Sequence, residues 1–159
     1  MARIHHTAIC SRDVDASLRF WRDGLGLAEI MDLSFDGDWP TLFGAATSRL
    51  RSIFLGEPGD FESGIIELVA FDGVDDGVTD PPEAGASGPP ASGFFLVSLH
   101  ADLDVVLARL AALGVGGEPS MIEVSGVRLA VVTDPDGVKV ELMDQQARTN
   151  LESMPPSRP

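Results

Sequence analysis

The sequence predicts an α+β protein of two tandem β-α-β-β-β modules, which form a curved mixed sheet around a ligand cleft, with helices on the outer face. Three observations predict this fold. A strand-length apolar run followed by a helical pattern occurs twice, and three further strand patterns follow each helix. A stretch rich in Gly, Pro, Asp and Ser separates the two occurrences.

The first module begins with a strand over residues 4–10, after which Asp13 is placed to cap a helix. The next apolar residues recur at helical spacing and indicate that helix: Val14, Leu18, Trp21 and Leu25. Gly24 and Gly26 end it. Three strands are predicted after it, over residues 28–35, 50–55 and 65–71.

The second module repeats this order, with a strand over residues 94–99 and Asp102 as the helix cap. An apolar stripe marks the helix: Leu103, Val106, Leu107, Leu110 and Leu113. Gly114 ends it, and strands are predicted over residues 118–124, 127–133 and 138–143. Asp134-Pro135-Asp136-Gly137 is a strong turn signal between the last two strands.

These patterns divide the chain into four parts. Residues 1–72 form the first module and residues 93–145 the second. Residues 73–92 contain two Pro-Pro pairs and are predicted to be a linker. Residues 146–159 lack apolar periodicity and are predicted to be a flexible tail.

Composition restricts the partners. The formal net charge of −14 argues against binding to nucleic acid or to an anionic membrane surface. No apolar run approaches the roughly 20 residues that a membrane span needs. The single cysteine, Cys10, favours a reducing cytoplasm, and no phosphate loop or dinucleotide motif predicts a nucleotide cofactor. We therefore expect a cytoplasmic protein with a small-molecule ligand.

Strand alternation brings three polar side chains to the cleft. If Thr7 and Ile9 pack under the helix, His6 points into the cleft and His5 points away. Glu67 and Glu141 each lie between two apolar residues of a closing strand, so we expect both to face the cleft in equivalent positions. A carboxylate on an apolar strand is normally paired, protonated or metal-bound, unless it lies at an edge open to water.

One histidine and two carboxylates suit a divalent metal such as Fe²⁺, Mn²⁺, Co²⁺, Ni²⁺ or Zn²⁺. The metal would stabilise enolate-like charge on a bound substrate. Without metal, Glu67 or Glu141 would act as a general base. Cys10 is a structural thiol or lines the cleft, and Trp39 is a candidate to cap it over an apolar ligand.

The sequence resembles the vicinal oxygen chelate superfamily, also called the glyoxalase/bleomycin resistance protein/extradiol dioxygenase group, from Arg3 to Asp144. Four stretches carry this resemblance: Ile4-His5-His6-Thr7-Ala8-Ile9 with Asp13-Val14-Asp15, Phe20-Trp21-Arg22-Asp23-Gly24-Leu25-Gly26-Leu27, Ile66-Glu67-Leu68, and the turn and strand from Asp134 to Leu142. Each stretch alone is weak, and together they are specific for the superfamily.

The resemblance implies that His6, Glu67 and Glu141 match the first, second and fourth metal-ligand positions of the family. The third position, usually a histidine, is held by Phe94, or by Phe95 if counted back from Asp102; Phe94 is preferred because it leaves Phe95 in the core-facing set. Extradiol dioxygenases use that third histidine, so the resemblance does not support ring cleavage. His100 is expected to be a loop or surface residue.

Besides a metal-free enzyme with Glu67 or Glu141 as its sole base, two functions stay open at this stage. The first is a metal-dependent isomerase, epimerase or lyase that abstracts a proton beside a carbonyl at an incomplete, three-ligand site. The second is a metal-free protein that binds a small molecule or antibiotic, in which Phe94 adds stacking surface. The resemblance also implies a homodimer.

Overall fold

The computed structural model describes residues 1–72, 93–124 and 126–145. The predicted linker over 73–92 and tail over 146–159 lie outside the described residues, so those two assignments stay predictions. The chain divides into two compact units, Met1–Gly85 and Ala86–Pro159. In the part of the chain described here, no helix has the length and apolar character needed to cross a membrane.

The first unit contains one mixed four-stranded sheet and two short helices. Its elements are β1 (His6–Cys10), α1 (Val14–Leu18) with a π-helical continuation (Arg19–Gly24), β2 (Ala28–Asp36), α2 (Trp39–Phe43), β3 (Arg49–Gly56) and β4 (Ile65–Phe71). The strand order is β1-β4-β3-β2. β1 is parallel to β4, and the other neighbours are antiparallel.

The second unit repeats this topology. Its elements are β5 (Val97–Ala101), α3 (Leu103–Leu113), β6 (Ser120–Val124), β7 (Val127–Thr133) and β8 (Lys139–Asp144). The order β5-β8-β7-β6, with β5 parallel to β8, matches that of the first unit. The predicted α+β class with two β-α-β-β-β modules is therefore confirmed.

The predicted helix boundaries follow from their capping residues. The Asp13 carboxylate accepts a hydrogen bond from the Ala16 amide at 3.0 Å, and the Asp102 carboxylate accepts one from Val105 at 3.2 Å. Gly114 ends α3 in the left-handed conformation at φ 67°, which a side chain would disfavour. Both helices therefore begin at the aspartates that the sequence indicated.

The largest differences from the sequence prediction concern two elements, and β1 also begins at His6, two residues later than predicted. β5 begins at Val97, because its pairing with β8 starts there, so Phe94 and Phe95 precede the paired strand. The short helix α2 was not predicted. It is capped by the Asp38 side chain and followed by Gly44 at φ 70°. In a helix of only five residues, these two signals are difficult to distinguish from those of a loop.

One face of the first sheet is sealed by the helix. Ile9, Ile53 and Leu68 belong to that face and are at most 6% exposed. Phe20 and Trp21, in the π-helical continuation of α1, are fully buried, as expected for a helix packed over a sheet. The opposite face of the same strands is left for other contacts.

An ion pair joins β2 and β3 on the helix-facing side. Arg51 donates two hydrogen bonds to the Asp32 carboxylate, at 2.8 and 2.6 Å. These bonds and the guanidinium charge lower the pKa of Asp32 below its ordinary value. A lowered folded-state pKa stabilises the fold above the unfolded-state pKa, and that contribution is lost as the pH falls through the folded-state value.

We predict that Asp32→Asn lowers the free energy of unfolding at pH 7 by up to about 1 kcal/mol, because the pair is partly exposed. The deficit should shrink as the pH falls below about 4, where Asp32 becomes protonated in the unfolded chain, and should vanish once the native carboxyl is protonated at still lower pH. Urea denaturation at pH 7 and pH 3 measures both values, with the more exposed Asp36→Asn as the control. An equal loss at both pH values would contradict the ion-pair explanation.

Candidate functional site

The candidate site lies on the open face of the first sheet, opposite the helix. In β1 the residues that face this side are His6, Ala8 and Cys10, which alternate with the helix-facing Thr7 and Ile9. In β4 they are Glu67, Val69 and Phe71. Because Ala8 pairs with Glu67 in the register of β1 and β4, His6 lies diagonally beside Glu67.

The structure brings His6 and Glu67 into direct contact. His6 Nε2 lies 3.1 Å from Glu67 Oε2, and the two side chains are 38% and 14% exposed respectively. The other carboxylate oxygen, Oε1, accepts a hydrogen bond from the Ser52 hydroxyl at 2.5 Å. Glu67 is therefore held from both neighbouring strands, with one oxygen on Ser52 and the other facing His6.

Ser52 is a site residue that the sequence interpretation missed. It belongs to β3, is only 3% exposed, and pairs in register with Val69 beside Glu67. The available signal was a single hydroxyl between Leu50 and Phe54 on an otherwise apolar strand face. A buried hydroxyl needs a hydrogen-bond partner, and the Glu67 carboxylate supplies it.

His5 does not point away from the site, so that prediction is wrong. Its Nδ1 lies 2.8 Å from Nδ1 of His6, and its Nε2 lies 3.0 Å from the carbonyl oxygen of Phe61. The ring also contacts the ring of Phe54, with centroids 6.0 Å apart. His5 precedes the paired strand, which begins at His6, so strand alternation does not govern its direction.

For neutral imidazole rings, these contacts imply one arrangement of the ring protons. A carbonyl oxygen only accepts hydrogen bonds, so His5 Nε2 donates to Phe61. A neutral imidazole carries one N–H, so His5 then accepts at Nδ1 and His6 donates from its own Nδ1. His6 is thereby oriented with Nε2 towards Glu67, where the pair can hold one shared proton or one bridging cation.

A pocket of about 300 Å³ surrounds this pair. Its lining combines the His–Glu pair with a thiol and an apolar wall: His6, Ala8, Cys10, Phe43, Leu50, Glu67, Val69 and Phe71. Cys10 thus lies where the cleft-lining interpretation places it. The pocket can accommodate a small organic molecule with its polar group beside His6 and Glu67.

Trp39 is not among the lining residues of this pocket. It stacks on Phe43, with ring centroids 5.7 Å apart and planes 9° apart. Its indole N–H donates to the carbonyl oxygen of Phe35 at 3.3 Å. Phe43 therefore contributes an aromatic wall to the pocket, and Trp39 stacks on Phe43 without lining the pocket itself.

The second unit places Glu141 on the open face of its own sheet. Glu141 pairs in register with Ser98, whose hydroxyl donates to Glu141 Oε2 at 2.7 Å. His100 lies in β5 on the same face as Ser98 and is exposed, which agrees with the expected surface position, although it belongs to a strand and not to a loop.

The strand register also locates the third ligand position. In the first unit His6 lies two residues before Ala8, the partner of Glu67. In the second unit the residue two positions before Ser98, the partner of Glu141, is Leu96. Leu96 therefore corresponds to His6, whereas Phe94 lies before the strand and is 70% exposed. The assignment of Phe94 assumed a strand over residues 94–99, whereas β5 begins at Val97.

The donor chemistry of the first unit fits part of a metal site. An imidazole nitrogen and a carboxylate oxygen face each other on adjacent strands, and this N,O pair suits the divalent metals expected from the sequence. The third expected ligand, Glu141, belongs to the other unit. Within residues 1–72, 93–124 and 126–145, no group of three or more His, Cys, Asp and Glu side chains forms a metal-binding cluster. The three-ligand set stays a prediction.

Comparison with known proteins places this fold and site in a family. Residues 3–142 match the model of the Glyoxalase/Bleomycin resistance protein/Dioxygenase superfamily. The chain is 37% identical over 166 residues to the lactoylglutathione lyase-like protein terB of Aspergillus terreus, a match that covers 98% of this chain and 80% of that protein.

Solved structures support the same fold. A glyoxalase family protein from Bacillus cereus matches with a TM-score of 0.67 and 22% identity, covering 91% of this chain and 94% of that chain. The trypanothione-dependent glyoxalase I of Leishmania major matches with a TM-score of 0.65 and 21% identity, covering 96% and 93%.

Two β-α-β-β-β modules with a pocket on an open sheet face define the vicinal oxygen chelate class. The chain belongs to the Glyoxalase/Bleomycin resistance protein/Dioxygenase superfamily, as the match over residues 3–142 shows.

The hydrogen-bond chain predicts that His5 controls the proton position on His6. His5→Phe keeps a ring beside Phe54 but removes the acceptor, so the His6 ring should lose its preference for Nδ1–H. His5→Gln offers an amide acceptor and donor and should restore it. Nitrogen-15 NMR of the three labelled histidines measures the ring proton positions. Unchanged His6 ring shifts in His5→Phe would contradict this role.

Proposed function

We propose that this protein is a small-molecule enzyme that abstracts a proton beside a substrate carbonyl, giving isomerase, epimerase or lyase chemistry. The observation that carries the proposal is the contact between His6 Nε2 and Glu67 Oε2 inside an otherwise apolar pocket. A histidine and a carboxylate brought together in a concavity are a common arrangement for acid–base work.

Glu67 is the better-placed base of the two glutamates. Its side chain is largely shielded from solvent, and Ser52 holds one of its oxygens by a hydrogen bond. The remaining oxygen faces His6 and the pocket, where it can accept the substrate proton. His6, with its Nδ1 hydrogen-bonded to His5, is oriented to pass that proton on or to bind a substrate oxygen.

His6, Glu67 and Glu141 are the residues proposed to hold a divalent metal, and Glu67 would detach from that set to serve as the base. Such a metal would supply Lewis-acid stabilisation of negative charge on the substrate oxygen. The chain's own residues would orient the substrate: the apolar wall excludes water, and the Ser52 hydroxyl keeps Glu67 in place. We also propose that the protein is a homodimer located in the cytoplasm.

A second candidate function is ligand binding without metal or turnover. The observation that favours it is Leu96, which occupies the position equivalent to His6 and offers no donor atom. The similarity to the lactoylglutathione lyase-like protein of Aspergillus terreus favours the enzyme and suggests lactoylglutathione among the compounds to test.

Two substitutions separate these functions. Titration of untagged protein with Mn²⁺, Fe²⁺, Co²⁺, Ni²⁺ or Zn²⁺ should show binding that His6→Ala weakens by about tenfold or more. Glu67→Gln should slow deuterium exchange of the α-protons of an α-hydroxyketone in D₂O by about 100-fold or more, because the base is lost.

His100→Ala is the matched control, since His100 is an exposed strand histidine of the second sheet outside the pocket. It should leave metal affinity and exchange rate unchanged. Exchange that survives Glu67→Gln at the native rate would reject Glu67 as the base. A protein that binds the ketone but catalyses no exchange with any of these metals would favour the second candidate function.

A further inference from the structure

The pocket of the first unit has a polar end and an apolar body. Glu67 and Phe71 lie four positions apart on β4, so the pocket floor extends about 13 Å along the strand. His6 and Glu67 form the polar end. Leu50 pairs with Phe71 at the other end, and Phe43 of α2 adds an aromatic wall. A bound molecule would thus have its reactive group and its body in different environments.

Among the described residues, no lysine or arginine side chain lies on this face of the first sheet. Arg49 and Arg51 are the arginines of β3, and alternation with the pocket residue Leu50 turns both to the opposite side. Both are already paired with carboxylates, Arg51 with Asp32 and Arg49 with Asp36 and Asp72. Among the described residues, none that lines the pocket is a lysine or an arginine.

The second sheet adds little free positive charge on its own open face. Lys139 is the single lysine of the sequence, and its ammonium group lies 5.4 Å from the ring centroid of Phe95. Arg128, the arginine of β7, contacts Asp104 of α3 and Asp144 of β8. The strand arginines of both units are thus committed to structural ion pairs.

The placement of the charged side chains determines which ligand charges the pocket favours. Moving a carboxylate from water to the apolar end of the pocket, away from His6 and Glu67, is unfavourable because no lysine or arginine among the described residues lines it. The net charge of −14 adds repulsion at longer range. An uncharged aromatic or aliphatic body suffers none of these costs and gains from burial against Phe43, Val69 and Phe71.

We infer that the pocket takes a molecule with an uncharged aromatic or aliphatic body, whose polar oxygens are confined to the end beside His6 and Glu67. This inference rests on the proposed function for the location of the reactive end. It adds that anionic groups on the body of the ligand are excluded. A glutathione conjugate, which carries two carboxylates, is a poor ligand on this account.

The test compares two matched probes and one conjugate. A neutral naphthyl α-hydroxyketone, the same ketone with a carboxylate on the distal ring, and S-lactoylglutathione are titrated into the full-length protein by calorimetry. Amide chemical shifts of Ala8 and Val69 report whether binding occurs in the pocket. The neutral ketone should bind, and both carboxylate compounds should bind about tenfold more weakly or worse.

Ala8→Lys supplies the missing cation. Ala8 is exposed and lines the pocket, so a lysine can be accommodated there and should narrow or reverse the preference for the neutral ketone. Thr41→Lys adds the same charge on α2, at an exposed residue outside the pocket lining, and should leave the preference unchanged.

Binding of either carboxylate compound to the native protein as tightly as the neutral ketone would overturn the inference, as would failure of the neutral ketone to shift the pocket amides. Deuterium exchange tests the chemistry separately. Selective binding of the neutral ketone without exchange would reject the proposed reaction and leave the ligand class established.

Discussion

The alternation of side chains in β1, β3 and β4 is the constraint on which the site depends. The faces of these strands that bury Ile9, Ile53 and Leu68 under the helix leave His6, Ser52 and Glu67 on the other side. A shift of one residue in the pairing of β1 would move His6 under the helix and Thr7 into the pocket. The burial of Ile9, Ile53 and Leu68 under the helix therefore also fixes His6, Ser52 and Glu67 on the pocket face.

The two units share a topology but differ in their chemistry. Each has a glutamate on its closing strand that accepts a hydrogen bond from a serine hydroxyl, Glu67 from Ser52 and Glu141 from Ser98. The serines occupy different places, on β3 in the first unit and on β5 in the second. In the first unit His6 contacts Glu67, whereas Leu96 stands at the position equivalent to His6 in the second unit. Proton transfer is accordingly proposed for Glu67.

Much of the fold could be predicted because periodic apolar burial leaves a strong pattern in the sequence. The caps Asp13 and Asp102 and the alternation around Glu67 were visible in that pattern, and the structure shows them. The direction of His5 and the contact of Ser52 were not, since they depend on a loop carbonyl and on strand register. The start of β5 was also misplaced, because the phenylalanines before it have the same apolar character as a strand.

A double-mutant cycle on the two contacting residues tests the central claim most directly, namely that His6 and Glu67 act as one unit on the pocket face. The rate of α-proton exchange is measured for the native protein, His6→Ala, Glu67→Gln and the double variant. Coupled residues predict that the double variant loses little more activity than the worse single variant. Fully additive losses, each expressed as a free energy of activation, would show that the residues act independently and would contradict the account.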